Sequence, residues 1–238
     1  MRQLFSVTME RRKGLSGNAW KLIACLSMLI DHIGAALIEC GVMRNAEVYA
    51  RVCERFPWDW YRIDNVLRIL GRAAFPIYCL LLVEGFCHTR NLWKYAGRLA
   101  VFGLLSEVPF DLAFMGQPLE LGYQNVYWTL LIGLLTIAAV KHLLDQGKQA
   151  AAIGAAALGM VMAELIRSDY GALGAGFIVL IYVIRRVRVY RGDGPVFLGW
   201  AYNGERGKLR LTWFFYLFYP LHLLALECVR YLWLGFWY

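Results

Sequence analysis

The chemistry of this 238-residue chain begins with ionisable side chains that stand inside long apolar runs. They are Asp31 and His32, Arg68 and Arg72, Glu84, Glu107 and Asp111, and His222 with Glu227. At membrane depth such groups are costly unless they face one another or a cavity. A neutral imidazole can take a proton from an amine or a hydroxyl near pH 7, which makes His32 the candidate base and His222 a candidate assistant in proton release. A carboxylate such as Glu107 can fix the His32 tautomer, and Arg72 can stabilise a developing oxyanion. Arg68 shares a helix face with Arg72, four residues on, and the two together suit an oxyanion or an anionic acceptor. Asp31 projects about 100° away from His32 on a helix, so it is expected to pair with Arg68 or Arg72 rather than orient the ring.

Lys21 precedes His32 by eleven residues. That spacing is about 1100° of helical rotation and roughly 16 Å of rise, so both lie on one stripe, with Cys25, Met28, Ala35 and Glu39 near it. A cation at one end and an imidazole deep on the same stripe suit a ligand that enters from the Lys21 side. The basic groups Arg90, Lys94 and Arg98, with Arg185, Arg186 and Arg188, can hold a polyphosphate. Each group also has a plainer use. A membrane histidine can hydrogen-bond a neighbouring helix, Asp31–Arg68 can be an ion pair joining helices, and Glu227 can pair with Arg230.

The elements that must position these groups follow from composition. Hydrophobic residues make up 60% of the chain, charged ones 18%, and the mean hydropathy is +0.48. A water-soluble domain of this size exposes roughly a third of its unfolded surface, too much for this apolar content. Disorder, coiled coils, collagen and small disulfide scaffolds are excluded on the same grounds. The six cysteines form no C-x-x-C pair and mostly sit in apolar runs, so neither a disulfide framework nor a zinc site is expected. The expected fold is therefore an all-α, polytopic transmembrane bundle of about seven spans, near 19–41, 65–86, 96–115, 126–144, 149–166, 170–186 and 212–235. The apolar stretch 195–203 is too short to cross and is expected to be interfacial or re-entrant.

Orientation follows from Lys and Arg. An N-terminus inside the cell leaves seventeen of the 25 basic residues on cytoplasmic segments and five on outer ones. The net charge of +8 is thus assigned to membrane orientation rather than to a nucleic-acid partner. The chain reads as one integral domain, 1–238, with an outer amphipathic loop at 42–64 and a basic cytoplasmic loop at 187–211. Ala151, Ala155 and Gly159 recur every four residues and are assigned to close helix packing.

Leu29-Ile30-Asp31-His32-Ile33-Gly34 resembles the TraX family, named for a membrane protein that N-acetylates conjugative pilin. The likeness continues through 67–77 and 82–91, Leu105-Ser106-Glu107-Val108-Pro109-Phe110-Asp111-Leu112, Gln124-Asn125-Val126, Asp169-Tyr170-Gly171, Tyr202-Asn203-Gly204 and Phe218-Tyr219-Pro220-Leu221-His222. TraX proteins are in turn similar to transmembrane acyltransferases that carry a basic residue, ten intervening residues and a histidine in the first span, a spacing that Lys21 and His32 match. The resemblance implies acetyl-CoA as acyl donor without a metal, His32 as the essential base, and Lys94 and Arg98 near the donor phosphates.

The expected catalytic set is His32, Asp31, Arg68, Arg72, Glu107 and His222. Lys21, Arg90, Lys94 and Arg98 are the expected donor-binding residues, and Glu84, Asp111 and Asn125 the expected substrate contacts. The expected activity is acetyl transfer from cytoplasmic acetyl-CoA to an amine or hydroxyl of a peptide, sugar or lipid, in a bacterial-type inner or plasma membrane. By family analogy the acceptor is a pilin N-terminus. A proton-coupled transporter built on the same Asp, His and Arg groups is the main rival, and a flux assay in proteoliposomes separates the two.

Overall fold

The computed structural model describes residues 14–191, 207 and 211–234. The first helix, α1 (Gly17–His32), continues as a π-helical stretch, Ile33–Met43. It is followed by α2 (Ala46–Arg55), α3 (Trp60–Gly71), α4 (Ala74–His88), α5 (Leu92–Met115), α6 (Val126–Asp145), α7 (Gln149–Leu165), α8 (Gly171–Arg191) and α9 (Thr212–Leu234). Side-chain caps begin many of them. Ser16, Asn45, Asp59, Asn91 and Asn125 each accept a backbone N–H of the first turn that would otherwise lack a partner. Gly116, with φ +74°, closes α5 in the left-handed conformation.

The continuous stretches Gly17–Met43, Trp60–His88, Val126–Asp145 and Thr212–Trp233 are long and apolar enough to cross a membrane. Gln149–Leu165 is a shorter apolar helix. The remaining expected spans fall on α5 and α8, whose charges at Lys94, Arg98, Glu107, Asp111 and the Arg185–Arg186 end lower their hydropathy. The expected span 65–86 is two helices rather than one. It breaks between α3 and α4, where Pro76 has no N–H to offer the Arg72 carbonyl four residues back. Ser27 of α1 donates to the Leu70 and Gly71 carbonyls at 2.8 and 3.1 Å, which ties that break to the first helix.

The core gathers Ala36, Cys79, Val83, Leu134, Ile137, Ile178 and Leu223, all buried, between α1, α4, α6, α8 and α9. A smaller cluster of Ile38, Val42, Val48, Val52 and Trp60 seats α2 on the π-helical stretch and α3, with the α2 charges turned outward. Large apolar side chains also cover the outside. Leu173, Leu121, Trp93, Ile153 and Leu104 are among the most exposed, a surface suited to lipid rather than water.

Glycines set the closest helix approaches. A Cβ on Gly159 of α7 would lie 2.0 Å from Thr136 Oγ1 of α6, and one on Gly71 would lie 2.5 Å from the Asp31 Cα. Gly159 thus does the packing work expected of the 151–155–159 stripe. The stretch 195–203 and most of 187–211 lie outside the described residues.

Candidate functional site

Four side chains of α1 share one stripe, Asn18, Lys21, Met28 and His32, and all four line a cavity of about 520 Å³. The opposite walls repeat the helical period. Ala74, Tyr78, Leu81, Gly85 and His88 come from α4, and Thr212, Phe215, Tyr216 and Tyr219 from α9. Tyr95, Arg98 and Leu99 of α5 and Val126, Tyr127 and Leu130 of α6 complete the sides, and Asp169 and Tyr170 of the turn between α7 and α8 lie at the His32 end. The volume is within the ordinary range for a small-molecule site.

The two ends differ chemically. Lys21, Arg98, His88 and Glu84 are on the wall, with the Lys21 ammonium 5.2 Å from the centre of the Phe215 ring. The Arg98 guanidinium lies 5.9 Å from the ring centres of both Tyr95 and Tyr216. Glu84 is held by a two-pronged Arg185 contact, Nε to Oε1 at 2.6 Å and Nη2 to Oε2 at 3.1 Å, so its charge is balanced where it meets the cavity.

At the other end is a histidine pair. His32 Nδ1 lies 2.6 Å from His222 Nε2, with the rings nearly parallel at 3°. His222 Nδ1 lies 2.7 Å from the Phe218 carbonyl, one turn back on α9. These partners assign both tautomers. The Phe218 carbonyl can only accept, so His222 carries its proton on Nδ1 and accepts on Nε2. His32 must then donate from Nδ1, which leaves Nε2 as its basic nitrogen. Pro220 helps by interrupting α9 beside the pair, and the Tyr127 hydroxyl donates at 2.9 Å to the Tyr216 carbonyl that Pro220 leaves without its N–H. Phe114 and Tyr219 stand edge-on to His32, with centroids at 5.4 and 5.9 Å.

Asp31 forms an ion pair with Arg68 of α3, as its angle on the helix predicts. The other expected members separate from this group. Glu107 does not touch His32; its Oε1 accepts from Asn125 Nδ2 at 2.7 Å and from the Trp128 indole. Asn125 also donates to the Gly103 carbonyl at 2.8 Å. Asp111 accepts the Glu120 amide at 2.7 Å. These three residues fasten α5 to the following loop and α6, and none lines the cavity. The tautomer role expected of Glu107 falls to His222, because α5 turns that carboxylate toward α6.

Arg72 follows the end of α3, is exposed, and stands off the cavity wall, within electrostatic reach of Asp31. Arg90, just before α5, and Lys94, in its first turn, are likewise exposed and off the wall, whereas Lys21 and Arg98 are on it. Arg186 pairs with Asp145 at 2.8 Å. Glu227 pairs with Arg230, which also donates to the Leu112 and Ala113 carbonyls at 3.0 and 2.7 Å and so caps the end of α5. Among the described residues, no three His, Cys, Asp or Glu side chains come together as a metal site.

Sequence reasoning missed the aromatic walls. Tyr78, Tyr95, Phe215, Tyr216 and Tyr219 read as core or interface residues, although the repeats 74–78–81–85–88 and 212–215–216–219 mark single faces of α4 and α9. Asp169 was visible only as part of Asp169-Tyr170-Gly171.

The fold defines a helical membrane bundle with a cavity among its helices. The sequence matches the model of the TraX protein family over residues 16–192, and the chain belongs to that family. It is also 32% identical over 139 residues to the "Probable fimbrial assembly protein FimC, serogroup H1" of Dichelobacter nodosus, an overlap of 54% of this chain and 48% of that protein. The chain therefore spans about half the length of the curated relative it matches. No solved structure matches it.

Proposed function

We propose that the protein is a membrane-embedded acetyltransferase that takes acetyl-CoA from the cytoplasmic side and acetylates an amine or hydroxyl of an acceptor. By analogy with its relatives, the acceptor is a subunit of a pilus or fimbria. The observation that carries this reading is one cavity with a cationic end at Lys21 and Arg98 and a histidine end whose Nε2 is the basic nitrogen. Along α1 the ends are roughly 16 Å apart, a separation that an extended pantetheine arm can bridge. The positive-inside bias puts the Lys21 end on the cytoplasmic face.

In this reading Lys21 and Arg98 hold the phosphates, the aromatic walls enclose the arm, and the thioester rests beside His32. The acceptor attacks the acetyl carbon, its proton passes to His32 Nε2, and the C–S bond breaks as that proton is handed to the departing sulfur. His222 steadies the imidazolium by accepting from Nδ1. The Asp31–Arg68 pair sets the field at that end.

The test is transfer of labelled acetyl from acetyl-CoA in membranes holding equal amounts of the wild type or His32→Ala, followed by fractionation of the products. Wild-type membranes are expected to label an acceptor, and the variant to lose the activity by about 10²-fold or more. Equal labelling by both removes His32 from the chemistry. Proton-coupled solute flux in proteoliposomes, with no acetyl transfer, would replace this reading with a transporter.

A further inference from the structure

The turn between α7 and α8 closes the His32 end of the cavity in a conformation that side chains resist. Arg167 and Tyr170 both have positive φ, 54° and 65°. Non-glycine residues stay there only where surrounding contacts hold them, and such contacts gather at functional sites. Here the hold is extensive. Gln124 donates its amide to the Arg167 carbonyl at 3.0 Å and accepts the Asp169 amide at 2.8 Å. The Thr129 hydroxyl meets Ser168 Oγ at 2.9 Å and the Asp169 carbonyl. The Tyr170 ring stacks on Phe75 at 3.7 Å.

All of this presents Asp169 and Tyr170 to the cavity, with the Asp169 carboxyl within electrostatic reach of Asp31, the neighbour of His32, and of Tyr219, whose ring stands 5.9 Å from His32. Oδ1 of its carboxyl accepts from the Tyr123 hydroxyl at 2.9 Å. The carboxyl also takes a backbone hydrogen bond from Tyr170. A carboxylate has about four acceptor positions, so capacity remains on the cavity side. Asp31, the other carboxylate on this wall, is already paired with Arg68.

We propose that Asp169 is a second catalytic residue: its carboxylate accepts a hydrogen bond from the acceptor's nucleophilic group and holds it against His32 Nε2. The proposal rests on the acetyltransferase reading. During transfer the acceptor nitrogen or oxygen bonds to the acetyl carbon, and its proton moves to His32 and then to the leaving sulfur. Asp169 finishes as it began, ionised. Burial pushes the Asp169 carboxyl up to about 6, so it titrates where activity can be measured. The groups that face it are Tyr123 of the preceding loop, Tyr170 of its own turn, Asp31 of α1, Arg68 of α3 and Tyr219 of α9.

The test compares the full-length wild type, Asp169→Asn and Tyr123→Phe in detergent. Labelled acetyl-CoA binding, thermal unfolding and transfer are followed, the acceptor probe being a short apolar peptide with a free amino terminus and one serine. Asp169→Asn is expected to bind acetyl-CoA as the wild type does and to unfold no earlier than it. Its transfer should fall about tenfold or more and lose the rise in rate with pH near 6. Tyr123→Phe removes one donor to that carboxylate and is expected to move the rise in rate to higher pH without abolishing transfer.

Transfer by Asp169→Asn at the wild-type rate overturns the proposal and leaves the acetyltransferase reading intact. Loss of transfer in step with lost folding or lost acetyl-CoA binding overturns it too, by making Asp169 a structural brace. A wild type that transfers nothing to the probe overturns both.

Discussion

Two polar clusters sit among the helices, and they differ in access as well as in residue type. Around Glu107, a carboxylate, an asparagine and an indole join α5 to α6, and Asp111 fastens the loop after α5. Around His32, two imidazoles, the Asp31–Arg68 pair and Asp169 gather at the end of a cavity. Spare hydrogen-bonding capacity does not separate them, since Glu107 Oε2 and Asp111 Oδ1 have no partner among the described residues. What separates them is that the cavity of about 520 Å³ reaches His32 and has neither Glu107 nor Asp111 on its wall. A buried charge in a membrane helix therefore becomes a site through the space it faces.

That contrast can be broken by substitution. The largest expected effect is on the open side, where His32→Ala should abolish transfer by about 10²- to 10⁴-fold with little change in melting temperature. His222→Ala frees the His32 ring and its tautomer and should cost about a hundredfold in rate, with acetyl-CoA binding retained in an equilibrium assay. On the closed side the pattern should invert. Glu107→Ala removes one of the two acceptors of Asn125 Nδ2 and the acceptor of the Trp128 indole, and should destabilise the bundle by about 1–3 kcal/mol, while activity per folded molecule persists. A thermal-shift series with specific-activity measurements reads both quantities. If Glu107→Ala abolishes the activity of folded protein, the division between the clusters is wrong.

Away from both clusters, Gly159→Leu should lower stability by several kcal/mol by forcing α7 off Thr136, and chemical denaturation in detergent measures it. The smallest effect is one of pH. The Asp169 value of about 6 lies above the ordinary carboxylate value, so the folded chain binds its proton more tightly than the unfolded one. The stability this gives is present below about pH 4 and is lost as pH rises through 6. Asp169→Asn should flatten that part of the stability–pH curve.

The helical character and the Lys21–His32 stripe were legible in the sequence because both rest on the period of a single helix. So was a pairing of Asp31 with an arginine of the next helix, which follows from the angle between Asp31 and His32; the choice of Arg68 over Arg72 came from the structure. The sorting of Glu107, Arg72, Arg90 and Lys94 was not, since sequence depth does not say which way α5 rotates or where α3 ends. The aromatic walls were hidden for a related reason: Tyr78 and Tyr219 look alike whether the space beside them is filled or empty. His222 as the partner of His32 joins residues 190 positions apart, a contact that periodicity within one helix does not reveal.

The central claim is that the acyl donor lies in this cavity, and photocrosslinking tests it most directly. A CoA thioester with a photoreactive acyl group would be irradiated with the full-length protein, with and without excess CoA. Labelling is expected near the acyl end on Met28, Tyr78, Tyr170 or Tyr219, and is expected to be lost on mixing with CoA before irradiation. Labelling confined to lipid-facing residues such as Ile153 or Leu158, or labelling that CoA does not reduce, would contradict it.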